Sequence, residues 1–591
     1  MADDALTVQG SFSGRDWRPR LEDAREAMAL AQSLGVPEVV GRALAGRGIG
    51  PEEAEGFLNP ALREQLPDPA HLLDMEKAAA RIAEAVETGE GIGVFGDYDV
   101  DGATSSALLA RFLGALGVPV DTYIPDRIKE GYGPNTEAMR ALAARGAKVV
   151  ITVDCGISAF EPLAAARAAG IDVIVVDHHV AETRLPEAAA VINPNRLDDA
   201  SPHKQLAAVG VAFLLVVAVN RALRQRGYYG SRPEPDLMQW LDLVALGTVC
   251  DQVRLTGVNR ALVAQGLKVL AGRANTGLAA LADVSGLETR PEAWHLGFLL
   301  GPRINAGGRV GRPDLGSRLL ACDDAAEARR MAQELDAFNS ERREIEAAVL
   351  DAALEQAEQK GGAEQDLIFV AGEGWHPGVI GIVASRILER FHRPVCVAGI
   401  EGEVAKGSGR SVQGIDLGAT VIAARQDGLL INGGGHAMAA GFTVARDRLP
   451  ALAAFLAERV AAQRAEQGTE LGRTLFHDGV ISVGGATTGL AESIKALAPF
   501  GAGNAEPRFV LSDVTVAKAD VVGENHLRVF VRGREGGRIK AMAFRSADRP
   551  LGAALLETGG VPIHLAGKLR IDDWQGRHGV EFLIDDAAPA A

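Results

Sequence analysis

A chain of 591 residues is long enough for several domains, and 47% hydrophobic against 23% charged residues is the balance of folded globular protein, not of a disordered or fibrous one. The formal net charge of -16 excludes a uniformly basic nucleic-acid binder, because neutralising phosphates needs clustered Lys and Arg. It leaves room for a local basic groove and for acidic clusters that hold divalent cations. Cys155, Cys250, Cys322 and Cys396 are too dispersed for a zinc site, which points to a reduced, cytoplasmic compartment. The N-terminus shows no basic region followed by an apolar run. The longest apolar stretch, Leu206 to Val219, is shorter than the ~20 residues that span a bilayer, so a core helix is expected and no membrane.

Residues 1–85 read as a mostly helical extension, with Pro51-Glu52-Glu53 at a helix start. Over 86–320, short apolar runs alternate with Ala-rich helical stretches. Strands are predicted at 91–95, 120–124, 148–153 and 172–176, and helices at 104–113, 136–145 and 160–169. That alternation implies an α/β domain with a parallel sheet covered on both faces. Residues 321–362 hold one long amphipathic helix with Met331, Leu335, Phe338, Arg342, Ile345, Val349 and Ala352 on one face. It reads as a connector, or alternatively as half of a coiled-coil dimer. A second α/β domain is expected over 363–465. Closely spaced short strands over 466–591 predict a small β-barrel, and the last seven residues are expected to be disordered.

The acidic residues carry the chemistry. Asp97-Tyr98-Asp99-Val100-Asp101-Gly102 follows the first strand directly. Three carboxylates within five residues repel one another unless a cation sits among them. The alternative is an exposed acidic turn with one Asp capping the next helix. The pattern recurs, however. Apolar runs also end in Asp154-Cys155-Gly156, in Asp177-His178-His179 and in Cys250-Asp251. In a parallel sheet the carboxyl ends of the strands share one edge, so these acids converge. Carboxylates with one or two imidazoles suit Mn²⁺ or Mg²⁺, and a two-metal site of that kind polarises a phosphate and generates hydroxide near neutral pH.

Asp177-His178-His179 resembles the signature triplet of the DHH phosphoesterases, and Asp97, Asp99, Asp154 and Asp251 match that family in order and context. The finer text resembles its RecJ members: Gly96–Ser105, Gly131-Tyr132-Gly133, Asp154-Cys155-Gly156, Gly247–Asp251 and Gly301–Arg309. The resemblance implies metal ligands Asp97, Asp99, Asp154, His178 and Asp251, with Asp154 bridging two ions. It implies that His179 faces the scissile phosphate and that Asp101 acts as an outer catalytic group. Many relatives carry His four residues before the first Asp. Here that position is Gly93, which implies one weakly held ion.

Further along, Gly433-Gly434-Gly435-His436 resembles the substrate-binding motif of the associated DHHA1 domain. Its glycines permit close backbone approach to phosphate, and His436 can donate to it. Lys406-Gly-Ser408-Gly-Arg410 resembles a pocket for a terminal 5′ phosphate, in which Arg410 can clamp two oxygens. Arg127, Arg303, Asn305 and Arg309 are further substrate candidates within the matched motifs. Near the end, Arg528, Phe530 and Arg532 share one strand face, which Lys540 and Phe544 extend. A basic face with an aromatic is what an OB-fold uses to track single strands. Together these imply a 5′-to-3′ exonuclease that degrades single-stranded DNA to 5′-mononucleotides in repair and recombination, with single-strand-binding protein and a helicase as partners. The alternatives are a phosphodiesterase for short oligonucleotides or cyclic dinucleotides, a pyrophosphatase, and a nucleic-acid-binding factor with a degenerate core.

Overall fold

The strand Ala147–Val153 is buried along nearly its whole length, and it forms the centre of a five-stranded sheet. Across that sheet run Val120–Tyr123, Gly91–Gly96, Ala147–Val153, Asp172–Val176 and Ala190–Ile192, all parallel. Apolar residues continue along these strands instead of alternating because helices cover both faces. In this computed structural model, which describes residues 6–127, 129–467, 473–572 and 579–590, the chain forms two units. One unit comprises Asp68–Asp251 and Gly266–Leu471. The other comprises Met1–Pro67, Gln252–Gln265 and Gly472–Ala591.

In the first unit, the helix Val100–Ala115 starts where Asp99 accepts the Gly102 amide at 3.1 Å. Gly102 is required there, because a Cβ would lie 2.4 Å from the Asp97 carbonyl oxygen. Helix Ala208–Gln225 is long and apolar enough to cross a membrane by length and composition, yet 72% of it is buried inside the unit. It is the core helix expected from the 206–219 run. Its first amides, of Ala208 and Val209, donate to Asp101 at 2.7 and 2.9 Å.

The connector helix, Ala325–Gln359, is capped by Asp324 and spans about 52 Å at 1.5 Å per residue. Its first half packs on helices Thr276–Val284 and Gly301–Val310, and its second half on helix Ile380–Phe391 and strand Ile368–Glu373. Ala328, Met331, Ala332 and Leu335 are buried, then Val349, Ala353 and Ala357, so the seam passes through Ala353 where Ala352 was expected. At these positions the stripe is filled from within the chain. Beyond it, a mixed sheet runs Asn432–His436, Ala439–Ala445, Val404–Arg410, Val395–Glu401 and Ile368–Glu373. Only the last two strands pair in parallel.

The second unit contains the barrel. Strand Phe509–Val522 pairs with His526–Arg532 and with Ile563–Asp572, Arg538–Ala543 lies beside His526–Arg532, and Gly579–Pro589 closes the circuit. Two helices not read from the sequence, Thr488–Lys495 and Pro550–Glu557, accompany it. The N-terminal extension is not wholly helical either, since strand Arg15–Pro19 pairs in parallel with Arg473–His477. The expectation of a disordered tail is corrected as well. Gly579–Pro589 is a strand, and Asp586 is fully buried. Trp17 Nε1 and Ser11 Oγ donate to Asp586 Oδ2 at 3.0 and 2.6 Å, and the Ala587 amide donates to Oδ1. A carboxylate that looks like tail polarity is thus the acceptor for donors more than 560 residues away in sequence. Asp586→Ala leaves Trp17 and Ser11 unpaired in the interior, which costs about 2 kcal/mol. The expected outcome is a lower unfolding temperature with faster proteolysis within 473–590, and Asp586→Asn loses less.

Candidate metal centre

Three strand ends and one helix end supply the site. Asp97 follows Gly91–Gly96, Asp154 follows Ala147–Val153, the Asp177-His178-His179 triplet follows Asp172–Val176, and Asp251 caps helix Leu241–Cys250. Asp154 is held at φ 59°, a left-handed backbone that Asp tolerates better than most residues and that is often stored at functional sites. His178 Nε2 lies 3.2 Å from Asp154 Oδ1, 3.6 Å from Asp251 Oδ2 and 3.9 Å from Asp101 Oδ2. Three overlapping groups each bring one donor atom per residue within 4.8 Å of one another: Asp97, Asp99 and Asp154; Asp154, His178 and His179; Asp101, His178 and Asp251. Asp154 and His178 are each shared by two groups, the arrangement that two neighbouring cations require.

The donor set fits divalent cations. Asp97 Oδ1, Asp154 Oδ1, His178 Nε2 and Asp251 Oδ2 are buried with no hydrogen-bond partner. Buried polar atoms are almost always paired, so four orphans distributed over these overlapping groups call for occupants. Burial, and then the neighbouring carboxylates, push Asp97 and Asp154 well above the usual carboxylate range and raise Asp251 to about 9. Burial and then the charge of His179 lower His178 to about 4, so its ring is neutral and Nε2 offers a lone pair. At position 93, where Leu142 Cδ2 would stand 3.2 Å from any Cβ, glycine supplies no ligand.

Around these donors stands a supporting layer: Asp177 is one of the strand-end acids read above, while Tyr132, Asn193 and Asn195 were given no role by sequence reasoning. Asp177 lies behind the donor groups and orients the triplet. It accepts from the amides of Ile157, His178 and His179, and its Oδ1 is 2.7 Å from His179 Nδ1. Burial acts to lower His179, but the hydrogen bond and charge of Asp177 outweigh it and the pKa is raised. Asn193 and Asn195 donate to the His179 and His178 carbonyls. Tyr132, between two glycines of positive φ, donates to the Asp154 carbonyl and stands 3.3 Å from His179 Nδ1. The only sequence signals were the quoted Gly-Tyr-Gly run and an Asn-Pro-Asn following a three-residue apolar stretch.

Other candidates fall into two sets. Arg127 lies over the Tyr98 ring at 5.0 Å, and its charge lowers the pKa of both Arg309 and Arg410 after the larger effect of burial. Arg309 donates to the Gly378 carbonyl, while Arg410 donates to Ser408 Oγ and to the Gly409 carbonyl. Arg127 thus acts on both of the other guanidiniums, and among the described residues no carboxylate is hydrogen-bonded to Arg309 or Arg410. Arg303 lies outside this group, held by Asp336 at 2.8 Å, and Asn305 is half-buried on the same helix. Gly434 and Gly435 lie on the hairpin strand Asn432–His436, with His436 exposed and its Nδ1 accepting from the Met438 amide. In the barrel, Arg528, Phe530 and Arg532 alternate with buried Leu527, Val529 and Val531, as the period-two reading expects. Lys540 on the neighbouring strand is paired with Asp572 and Glu581.

The chain matches family models for the DHH family N-terminal domain over residues 91–248, the DHHA1 domain over 364–462 and the RecJ OB domain over 477–586. It is 37% identical to the single-stranded-DNA-specific exonuclease RecJ of Dickeya dadantii, covering 94% of this chain and 96% of that protein. The chain belongs to the RecJ family. The Escherichia coli RecJ is also 37% identical, over 94% of this chain and 96% of its own length. RecJ of Thermus thermophilus in complex with Mn²⁺ is similar in structure, with a TM-score of 0.80 and 32% identity over 97% of this chain and 79% of that one. RecJ from the same source has also been solved with Mg²⁺. The RecJ assignment carries with it the fold read from the sequence: two α/β domains, a connecting helix and an OB barrel.

A cation that binds only the folded state stabilises it by about 2.7 kcal/mol at a hundredfold excess over Kd. Mn²⁺ is therefore expected to raise the unfolding temperature, and Asp154→Asn or Asp251→Asn to shrink the shift without lowering the cation-free midpoint, since a neutral amide replaces a carboxyl whose ionisation burial opposes. Asp101, raised to about 7 by burial and then Asp99, and Asp251, at about 9, hold protons in the folded state that the unfolded chain has released. The cation-free protein should accordingly lose stability as pH rises from the ordinary carboxylate range towards 9. Calorimetry across pH, with and without Mn²⁺, checks both outcomes.

Proposed function

We propose that this chain is a metal-dependent hydrolase that degrades single-stranded DNA from its 5′ end and releases 5′-mononucleotides. The observation that carries the reading is the set of four buried, unpartnered donor atoms of Asp97, Asp154, His178 and Asp251 at one sheet edge. Asp97, Asp99, Asp154, His178 and Asp251 would hold Mn²⁺ or Mg²⁺, with Asp154 shared by two of the donor groups and no ligand from Gly93. Such ions supply Lewis acidity toward a phosphate and lower the pKa of water.

The protein's own groups do the rest. Asp177 holds the Nδ1 proton of His179 toward itself, so the ring presents Nε2 to a non-bridging oxygen of the scissile phosphate. Asp101, with both oxygens tied to the start of helix Ala208–Gln225, stands behind His178 as an outer catalytic group and fixes the Asp97–Asp101 turn on that helix. Arg127, Arg309 and Arg410 with Ser408 form a cationic cluster that suits a terminal 5′ phosphate. That anion would relieve their mutual repulsion and give each a charge-assisted bond. Gly434, Gly435 and His436 line the strand path on the DHHA1 side, and Arg303 and Asn305 stand on the helix that leads to Arg309. In the barrel, Arg528, Phe530 and Arg532 supply a face for the phosphate backbone and a base. We place this activity in the cytoplasm, in DNA repair and recombination, on single strands exposed by a helicase or covered by single-strand-binding protein.

End-labelled single and double strands incubated with Mn²⁺, Mg²⁺ or chelator test the reading. Mononucleotides should appear from the 5′ end of single strands only, and chelator should stop them. Asp97→Ala and Asp154→Ala should abolish turnover in folded protein, and His179→Ala should lower kcat by about 10²–10⁴-fold. Arg410→Ala should erase the preference for a 5′-phosphorylated over a 5′-hydroxyl end. Full activity in Asp154→Ala would remove the site assignment.

A further inference from the structure

Helix Gly301–Val310 is the continuation of a longer run that starts at Ala293 and passes through a π-helical turn, Leu296–Leu300. A single π turn within an α-helix widens the coil at some energetic cost and is frequent at functional sites. This turn is pressed against the helix that ends at Asp251. The Cys250 thiol donates to the Leu296 carbonyl at 3.4 Å, Val249 Cγ1 would lie 3.5 Å from a Cβ on Gly297, and Cys250 Sγ would lie 2.4 Å from one on Gly301. The turn therefore packs on the same helix end that presents an acid to the metal centre.

The outer side of this turn is apolar and uncovered. Phe298, the middle residue of the π segment, is 80% exposed, the most exposed aromatic among the described residues. Trp294, four residues earlier, is 46% exposed, its indole stacked on His295 with centroids 3.7 Å apart and its Nε1 donating to Glu292. Four residues is about one turn here, so the two rings share a side of the helix. The stacking on His295 and the bond to Glu292 fix the indole's orientation, and an aromatic held in place while left in water is a poor use of apolar surface unless something flat covers it. A second apolar margin flanks the site, where Val180 directly follows His179 and is 85% exposed.

At its other end the same helix carries Arg309, which belongs to the arginine cluster, and Gly308 packs on the Tyr98 carbonyl within the acidic turn. From Phe298 to Arg309 is about 17 Å along the axis at 1.5 Å per residue. That is roughly five nucleotides at the 3.4 Å spacing of a stacked strand. One continuous helix thus carries a cationic end, a flank against the acidic pit and an uncovered aromatic pair.

We infer that Trp294 and Phe298 form a base-stacking platform that holds the nucleobases of the strand a few nucleotides to the 3′ side of the scissile phosphate. This rests on the nuclease reading above and adds to it a binding site for bases, distinct from the barrel face. Stacking accepts any base, because each has a π face, so the platform gives grip without sequence preference. It also favours strands whose bases are unpaired, since in a duplex each face is already covered by its neighbours.

The test compares Phe298→Ala, Trp294→Ala, the double variant and Phe298→Tyr on the full chain. Substrates are a 5′-phosphorylated twenty-residue thymidine strand, the same strand with abasic sites at positions three to seven, and a 5′-phosphorylated thymidine dinucleotide. Expected is an approximately tenfold fall in the ratio of kcat/KM on the long strand to that on the dinucleotide for Phe298→Ala, and a larger fall for the double variant. The loss should appear mainly in KM, Phe298→Tyr should restore the ratio, and the abasic strand should show wild-type and variants converging. An unchanged ratio, an equal loss on both substrates, or an equal loss on the abasic strand overturns the platform while leaving the nuclease reading intact. Absence of turnover by the wild-type protein on all three substrates overturns the nuclease reading first, and the platform with it.

Discussion

Like charges gathered out of water hold the key to this structure. Asp97, Asp99, Asp101, Asp154, Asp177 and Asp251 lie around one sheet edge, and water reaches few of their oxygens. The fold manages this by dividing the acids into two kinds. Asp101 and Asp177 are both satisfied by backbone amides, Asp101 by two at a helix start and Asp177 by those of Ile157, His178 and His179, although burial still raises Asp101 while Asp177 stays low beside His179. Asp97, Asp154 and Asp251 each keep an oxygen with no partner at all. That division separates acids that build the site from acids that leave it incomplete. An incomplete acid beside a neutral imidazole is a demand for positive charge, and the rest of the unit is arranged to hold the demand in place.

Much of this was legible in the residues because a parallel sheet leaves little choice. Once Gly91–Gly96, Ala147–Val153 and Asp172–Val176 are strands joined by helices, their carboxyl ends must share an edge, and the acids that follow them must meet. Asp251 was legible for a different reason, since it ends an apolar run, although that run is a helix. The supporting layer was harder to read. Asn193 and Asn195 act through side-chain bonds to the His179 and His178 carbonyls, which no periodicity encodes. The engagement of Arg303 by Asp336 depends on a contact between helices 33 residues apart. The end of the final strand was read as a tail because Asp585-Asp586 looks like a soluble end, and the partners of Asp586 lie at the opposite end of the chain. Local composition fails where one distant donor decides burial.

The arginines show the same logic with the sign reversed. Burial, and then the charge of Arg127, lower both Arg309 and Arg410. Their hydrogen bonds go to Gly378, Gly409 and Ser408, neutral groups that orient a guanidinium without cancelling its charge. Acidic donors without hydrogen-bond partners and arginines bonded only to neutral groups thus occur within one unit.

The bond between Trp17 and Asp586 has a consequence for how the molecule is made. A ribosome adding about 5–20 residues per second needs roughly 30–110 s to travel from one partner to the other. Throughout that interval the strand that holds Trp17 has been made but its acceptor has not, and the unit that holds the metal centre is complete once Leu471 is added, before the barrel strands follow. Biogenesis is therefore ordered, with the cutting machinery formed first and the barrel completed only when translation ends. A nascent chain that stalls or breaks before Asp586 leaves a nuclease core joined to an unfinished second unit, whose exposed indole and unpaired strand edges mark it for quality control.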